Sequence, residues 1–318
     1  MNIFDFSILG NSLLSAALYT IKLSSVVLLT MFIMNCLINT GIMKKVSNFL
    51  YPFTKHLKMN QLSLYSILSC FFSPTVGYSI LAEGYNDKKV NEKELIGSSL
   101  ANSFPSIFSH IFTFFIPIAI PLLGMTGVIY ILIRSGVAMV KTIIGLFYLA
   151  LVSKNTEEYE PKNEEQKNIK KSMKKSFEST LRVSKRILPI MFITMFIVIY
   201  FSNLGVFEFI KLIINPVTGY LNLDPSVGIL ILTDLINVQA AMVMGSGLLE
   251  NGVLGSKDVI IGLIFANVLS LSTRYAKHSL PLHVSLFGPK LGTKIVMINA
   301  GITFAIDVVI IGAFLLLG

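Results

Sequence analysis

The chain of 318 residues is 53% apolar and only 14% charged, and its mean hydropathy is +0.74. Ordinary soluble domains carry about 25% charged residues, so this composition excludes a soluble globular protein and predicts an all-α polytopic membrane protein. The net charge of +9 requires no nucleic-acid partner, because basic residues in cytoplasmic loops fix the orientation of membrane helices. The first partner that we expect is the lipid bilayer of the cell membrane.

Apolar runs that are long enough to enter or cross a hydrocarbon layer about 30 Å thick recur along the chain. They lie at 23–40, 61–83, 95–122, 125–152, 187–204, 227–249, 258–273 and 291–317. Cys36 and Cys70 both fall inside such runs, which favours small core residues over a disulfide framework or a metal site.

Two runs of the first half are interrupted by residues that weaken a helix. The run 61–83 contains Ser73–Gly77 near its middle, and the run 95–122 contains Asn102–Pro105. Proline removes a backbone donor and clashes with the preceding turn, so the run 95–122 should break or kink at Asn102–Pro105. The run 61–83 suits a re-entrant hairpin tip, and whether it and 227–249 re-enter or span stays open here.

The second half repeats these features about 164 to 165 residues later. The pattern I-G-x-x-x-A-N occurs at Ile96–Asn102 and again at Ile261–Asn267, where Ser270 and its neighbours should loosen the helix more gently. Landmarks that keep the offset are Lys22 and Arg186, Pro52 and Pro216, and Leu57 and Leu221. A shared offset predicts two homologous transmembrane repeats, 1–152 and 187–318.

The distribution of charge predicts the orientation. The stretch 153–186 carries ten Lys or Arg and six Glu without sustained apolar periodicity, so we interpret it as a solvated cytoplasmic connector. Lys88, Lys89 and Lys93 then lie inside as well. The corresponding loops of the second half, 205–226 and 250–258, are poor in Lys and Arg, which predicts that they lie outside. The two repeats therefore have inverted topology.

Broken helices at membrane depth persist only where they line a cavity or pack within protein, and paired breaks in inverted repeats indicate a transporter site near the midplane. Asn and Gln offer both donors and acceptors, which suits a neutral polar solute or a dehydrated cation. The predicted substrate-binding residues are Ser73, Thr75, Asn102, Ser103, Asn237, Gln239, Asn267 and Ser270. The alternative for each is a role as polar glue between helices.

Ionisable residues inside the apolar runs need a reason, because each costs about 2.5 to 3.5 kcal/mol at a helix centre on insertion scales. Asp234 lies one turn before Asn237, and Cys70 stands at its equivalent in the first half. We predict that Asp234 couples a cation or a proton to the solute. Lys141 and Asp307 occupy nearly equivalent positions in the two last runs, which predicts a structural ion pair between them.

The sequence gives little support for a catalytic function. The four histidines form neither H-E-x-x-H nor another zinc spacing, and no G-x-S-x-G elbow is present. We expect no enzymatic activity, no cofactor and no resident metal. Whether the chain forms a homo-oligomer stays open.

Two halves, each with an interrupted hairpin followed by an I-G-x-x-x-A-N helix, resemble the nucleoside recognition or Gate domain family of membrane proteins. That family includes the spore maturation proteins A and B and the membrane part of the ferrous-iron transport protein B, and it is related to concentrative nucleoside transporters. The resemblance implies a permease with a concentrative-nucleoside-transporter-like architecture of inverted repeats. By position, the segments that match the family's polar breaks are Ser73–Gly77, Asn102–Pro105, Asn237–Met242 and Asn267–Ser270.

Two departures bear on the solute that the resemblance implies. The chain has no GTPase domain and no cysteine at either break, which weakens the case for ferrous iron. The second I-G-x-x-x-A-N helix also lacks a proline. The resemblance thus implies transport of a nucleoside-like molecule or an ion, with a divalent metal ion transporter and a non-transporting membrane scaffold in a larger complex as alternatives.

Overall fold

The computed structural model describes residues 6–39, 59–71, 73–153, 169–204, 219, 223–274 and 279–316. Within these residues all regular structure is helical, which confirms the predicted all-α class. In chain order the helices are α1 (Phe6–Asn39), α2 (Gln61–Cys70), α3 (Pro74–Asn86), α4 (Glu92–Ala101), α5 (Ser103–His110), a π-helix (Ile111–Ala119), α6 (Ile120–Leu123), α7 (Met125–Val152), α8 (Ile169–Asn203), α9 (Pro225–Ile236), α10 (Val238–Glu250), α11 (Ser256–Arg274) and α12 (Leu280–Leu316).

Three segments of the described chain are long and apolar enough to cross a membrane. They are Glu92–Leu123, Met125–Val152 and Leu280–Leu316. On α7, Leu132 and Phe147 are 65% and 69% exposed, whereas Lys141 on the same helix is only 7% exposed. Large apolar side chains outside and a charged one inside reverse the order of a soluble protein, and this arrangement suits a helix surrounded by lipid.

The run 61–83 breaks where the sequence predicts a break. α2 ends at Cys70, Ser73 is extended (φ −154°, ψ 113°), and α3 begins at the next residue. The two helices fold back on each other, since a Cβ on Gly77 would overlap Cys70 Sγ and one on Gly84 would lie 2.8 Å from Leu62. Because a helix rises 1.5 Å per residue, arms of 10 and 13 residues are each too short to cross a layer about 30 Å thick.

α9 and α10 form a second hairpin of the same kind. Asn237 separates them with an extended backbone (φ −157°, ψ 120°), close to that of Ser73 about 164 residues earlier. Asn60 and Asp224 start the two hairpins alike, because each side chain accepts a hydrogen bond from the backbone N–H two residues on. The turns after α3 and α10 are also alike, with positive φ at Lys88 and Gly252.

The predicted break of the run 95–122 is confirmed. α4 ends at Ala101 and α5 begins at Ser103, and Asn102 between them keeps helical backbone angles (φ −70°, ψ −5°), so the interruption is a local one. Thr142 of α7 satisfies the freed backbone groups, because its Oγ1 accepts from the Phe104 N–H (2.9 Å) and donates to the Ala101 carbonyl (2.9 Å). A helix at membrane depth tolerates a break when a neighbour bonds the exposed backbone in this way.

The corresponding helix of the second half does not loosen. α11 is continuous from Ser256 to Arg274, so the gentle break predicted after Asn267 is wrong as far as the described residues extend. The physical reason is the missing proline, since serine alone leaves every backbone donor of the helix in place.

Close packing sets the directions of the long helices. A Cβ on Gly145 of α7 would overlap the Ala101 backbone nitrogen, and one on Gly97 would lie 2.9 Å from Leu149, so α4 and α7 are antiparallel neighbours. α12 is interrupted at Gly288 (φ 78°), and a Cβ on Gly292 would lie 2.5 Å from the His283 carbonyl. The short segment before Gly288 therefore folds against the start of the long segment that follows it.

The second part of the predicted connector 153–186 is helical. Residues 169–186 belong to α8, which packs along α1. Ser176, Thr180 and Ser184 are buried at intervals of four residues, so one face of this charged stretch is covered, while the other side chains that the structure describes here are exposed. The boundary that we placed between residues 186 and 187 thus falls inside one helix.

Candidate functional site

A cavity of about 350 Å³ opens where the tip of the first hairpin and α5 meet α7 and α12. Its polar lining residues are Tyr78, Ser103, Ser106, His110, Arg134, Lys141, Ser279, His283, Asn299 and Thr303. The remaining lining is mainly aliphatic. The volume lies at the lower end of the range of about 300–1,000 Å³ that is usual for small-molecule sites.

Two helix interruptions border this cavity. Pro74, which follows the extended Ser73, lines it at the start of α3, and Ser103 lines it at the start of α5. The breaks of the hairpin and of the I-G-x-x-x-A-N helix are therefore adjacent in space. Irregular backbone borders a polar cavity here, which is the setting in which a membrane protein tolerates it.

The basic side chain of Arg134 on α7 is held by a buried acid. Its Nη1 donates to both carboxylate oxygens of Asp307, at 2.7 and 3.0 Å, and Asp307 is fully buried. Asn267 of α11 donates from Nδ2 to the same carboxylate. This network ties three helices together at the edge of the cavity. Through it the predicted site residue Asn267 contacts Asp307, which in turn holds the lining residue Arg134.

The predicted ion pair between Lys141 and Asp307 is wrong. Asp307 pairs with Arg134 instead, and the Lys141 Nζ donates to the Thr303 hydroxyl (3.1 Å). The reason is geometric: α7 and α12 run in opposite directions, so the later residue on α12 faces the earlier base on α7. Equivalent positions in two repeats need not face each other.

Lys141 belongs to a chain of hydrogen bonds along α12. The Thr303 hydroxyl, which accepts from Lys141, itself donates to the Asn299 carbonyl (2.8 Å). The Asn299 Nδ2 donates to Ser99 Oγ of α4 (3.1 Å). These bonds fix the polar side chains of the cavity wall between α4, α7 and α12.

His283 also lines the cavity, and it has a defined tautomer. Its Nδ1 lies 2.8 Å from the Ser279 carbonyl, and because a carbonyl only accepts, Nδ1 carries the hydrogen. The ring packs edge-on against Tyr78, with centroids 4.5 Å apart, and the Tyr78 hydroxyl donates to the Ser99 carbonyl (3.3 Å). The wall is thus built from rings that are held by backbone acceptors.

The predicted site residues of the first half differ in where they lie relative to the cavity. Ser103 lines the cavity, and Ser73 is half-buried beside Pro74. Thr75 is exposed. Asn102 is fully buried behind the cavity, where its Nδ2 donates to Ser66 Oγ of α2 (2.8 Å), so it joins the broken helix to the hairpin.

The predicted residues of the second half lie elsewhere. Asn237 caps α10 by accepting from the N–H groups of Gln239 (2.8 Å) and Ala240, and the Ser270 hydroxyl donates to the Asn267 carbonyl (3.4 Å). Asp234, in α9, is buried at 2% exposure. The described lining of the cavity includes none of these side chains. Ser270 is linked to it through Asn267, which donates to Asp307, the partner of Arg134.

Several cavity residues were absent from the predicted site. The sequence carried a readable signal for them, because Asn299, Thr303 and Asp307 recur every four residues and so share one face of an otherwise apolar helix. Arg134 and Lys141 are seven residues apart and likewise share a face. Polar stripes of this kind in long apolar helices indicate the interior of a helix bundle or a water-filled cavity.

The cavity is equipped to bind a polar solute through hydrogen bonds and charge. It offers a guanidinium, an amine, hydroxyls and imidazoles on walls that are otherwise apolar. Within the described residues no group of three or more His, Cys, Asp or Glu is placed to hold a metal ion.

Comparison with known protein sequences finds a family and several relatives. The family model described as nucleoside recognition, Gate, matches residues 20–133. The uncharacterized protein MJ0871 of Methanocaldococcus jannaschii is 57% identical over 97% of both chains. The uncharacterized protein MJ0880 of the same organism is 26% identical over 88% of this chain and 92% of its own length, and MJ1556 is 27% identical over 85% and 86%. No solved structure matches the chain.

Proposed function

This chain belongs to the nucleoside recognition (Gate) family, and on that premise we propose that it is a membrane transporter that moves a small polar solute through the cavity between α3, α5, α7 and α12. The observation that carries the proposal is the position of the cavity. It is lined by polar side chains and bordered by two helix interruptions, and two of the helices that form its wall, α7 and α12, expose large apolar side chains on their outer faces.

Inverted repeats are the architecture that we propose for this transport. Support comes from α7 and α12, which occupy equivalent places in the two halves. Arg134 contacts Asp307 and Lys141 contacts Thr303, so the two helices run in opposite directions. Equivalent helices that are antiparallel are what a repeat inverted across the membrane requires.

The two hairpins are the proposed gates, re-entrant as in concentrative nucleoside transporters. Their arms are short, and their interruptions at Ser73 and Asn237 have the same extended conformation. We retain Asp234 as the proposed coupling residue because it is buried near the tip of its hairpin. In this arrangement the connector 153–186 lies in the cytoplasm.

Uptake by proteoliposomes tests the proposal. A variant of the chain in which Cys36 and Cys70 are replaced is purified and reconstituted into liposomes. Radiolabelled nucleosides, small carboxylates and divalent cations are then supplied in turn. We expect uptake of at least one solute above that of protein-free liposomes. In a Ser103→Cys variant, a thiol reagent should block this uptake, because Ser103 lines the cavity.

The control is Ser109→Cys on the same helix, whose side chain is buried and does not line the described cavity. The same reagent should leave uptake by this variant unchanged. Uptake of every solute at the level of protein-free liposomes would contradict the proposal, as would full uptake after complete modification of Ser103→Cys.

A further inference from the structure

The cavity has an unbalanced set of charges. Arg134 and Lys141 both line it, and no carboxylate belongs to its described lining. The buried Asp307 is in direct contact with only one of the two bases, since it pairs with Arg134 through both oxygens.

Lys141 is the base without a carboxylate in contact. It is 7% exposed, and among the described residues its Nζ bonds to a neutral partner, the Thr303 hydroxyl. An ammonium group in such a place requires compensation, because burial without a counter-charge is costly. A solute that brings a negative charge would supply it.

The other walls favour the same kind of ligand. The hydroxyls of Ser103 and Ser106 on α5 line the same cavity as Lys141, and hydroxyls donate readily to anionic oxygens. The start of α3 adds to this preference, since Pro74 lines the cavity and the Ser73 side chain makes no capping bond there. The positive end of a helix dipole favours negative charge, and here it joins a cavity that already carries two bases.

We propose that the solute of this cavity is a small organic or inorganic anion, of the carboxylate or phosphate class, with Lys141 as the side chain that binds its charge. Arg134 is the second base of the site, held in position by Asp307. The inference rests on the proposed function, because it names the substrate class of the same cavity. It excludes a bare cation as the solute.

Binding by the purified full chain tests the substrate class. Sodium acetate, sodium succinate and sodium phosphate are added in an uncharged detergent at constant ionic strength, with sodium chloride as the reference and uridine as a neutral probe. A ligand that binds only the folded state raises the unfolding temperature by mass action. We expect a saturable rise with at least one of the three anions and none with uridine.

Variants assign the effect to the cavity. Lys141→Met, which keeps length and removes charge, should weaken anion binding at least tenfold, and Lys141→Arg should retain most of it. Lys93→Met is the matched control, because Lys93 is an exposed lysine outside this cavity. If Lys141→Met does not fold, slower labelling of Ser103→Cys in the presence of the anion measures the same occupancy.

The outcomes separate this inference from the proposed function. No rise with any of the three anions, or equal loss in Lys141→Met and Lys93→Met, would overturn the anion site. Anion binding without uptake of any tested solute into liposomes would leave the site standing and refute transport. Uptake of uridine without anion binding would support transport and overturn the anion site.

Discussion

The pair formed by Arg134 and Asp307 shows how one buried contact depends on its partner. Asp307 is fully buried, and it accepts from both Arg134 and Asn267. A buried ion pair contributes little net stability over an apolar replacement, but the loss of one partner leaves the other charge uncompensated. This ion pair joins the two halves of the chain. We therefore expect that replacing one of its two residues destabilises the chain more than replacing both.

Asp307→Asn should lower the free energy of unfolding by about 3 kcal/mol, because it strands the Arg134 guanidinium. The double variant Arg134→Met with Asp307→Leu should recover most of this loss. Unfolding can be followed with a thiol-reactive dye in a chain that lacks the half-buried Cys36, since the Cys70 thiol is free and buried until the chain unfolds. Glu92→Gln is the control: its pair with Lys294 is exposed, so little change is expected. A double variant no more stable than Asp307→Asn would refute this account.

At the scale of the helix, α7 packs closely against α4 at a glycine. Gly145 sits against the backbone of α4, whereas Gly136 on the same helix has no heavy atom within 4 Å of an added Cβ. The two glycines therefore have different reasons to be there. Close approach explains Gly145, and it brings Thr142 near enough to bond the backbone freed at Asn102.

Gly145→Ala should destabilise the chain by about 1–3 kcal/mol or more, because the obstructing atoms belong to the backbone and cannot rotate away. Gly136→Ala should be neutral or raise stability by up to about 1 kcal/mol, since alanine favours a helix. Both are measured by thermal unfolding in the same detergent. Equal unfolding temperatures for the two variants would mean that the close contact of α4 and α7 is absent.

The interruptions of the helices show how much the sequence alone can predict. The breaks at Ser73 and Asn102 were predictable because Pro74 and Pro105 enforce them locally. The continuity of α11 was not, because serine after Asn267 permits either outcome. Ser103 was predicted for the site, but the pairing of Arg134 with Asp307 depends on how α7 and α12 face each other, and no local pattern encodes that.

For the whole molecule, the charges of two equivalent turns bear on how the two halves are oriented in the membrane. The loop after α3 carries Lys88 and Lys89, whereas the turn after α10 holds Asn251 and Gly252. Both turns follow a hairpin and share a left-handed residue at the equivalent position. If the repeats are inverted, two turns of the same local shape lie on opposite sides of the membrane, and the basic one lies in the cytoplasm.

Cysteine labelling of these two turns tests the orientation directly. Asp87 and Asn251 are exposed residues that end α3 and α10, so Asp87→Cys and Asn251→Cys can each be placed in a chain that lacks Cys36 and Cys70. In intact cells or right-side-out vesicles, an impermeant maleimide should label Asn251→Cys and leave Asp87→Cys unlabelled until the membrane is opened. Inside-out vesicles should give the reverse, which controls for reactivity. Labelling of both cysteines from the same side would rule out inverted repeats, because the two hairpins would then enter the membrane from one face.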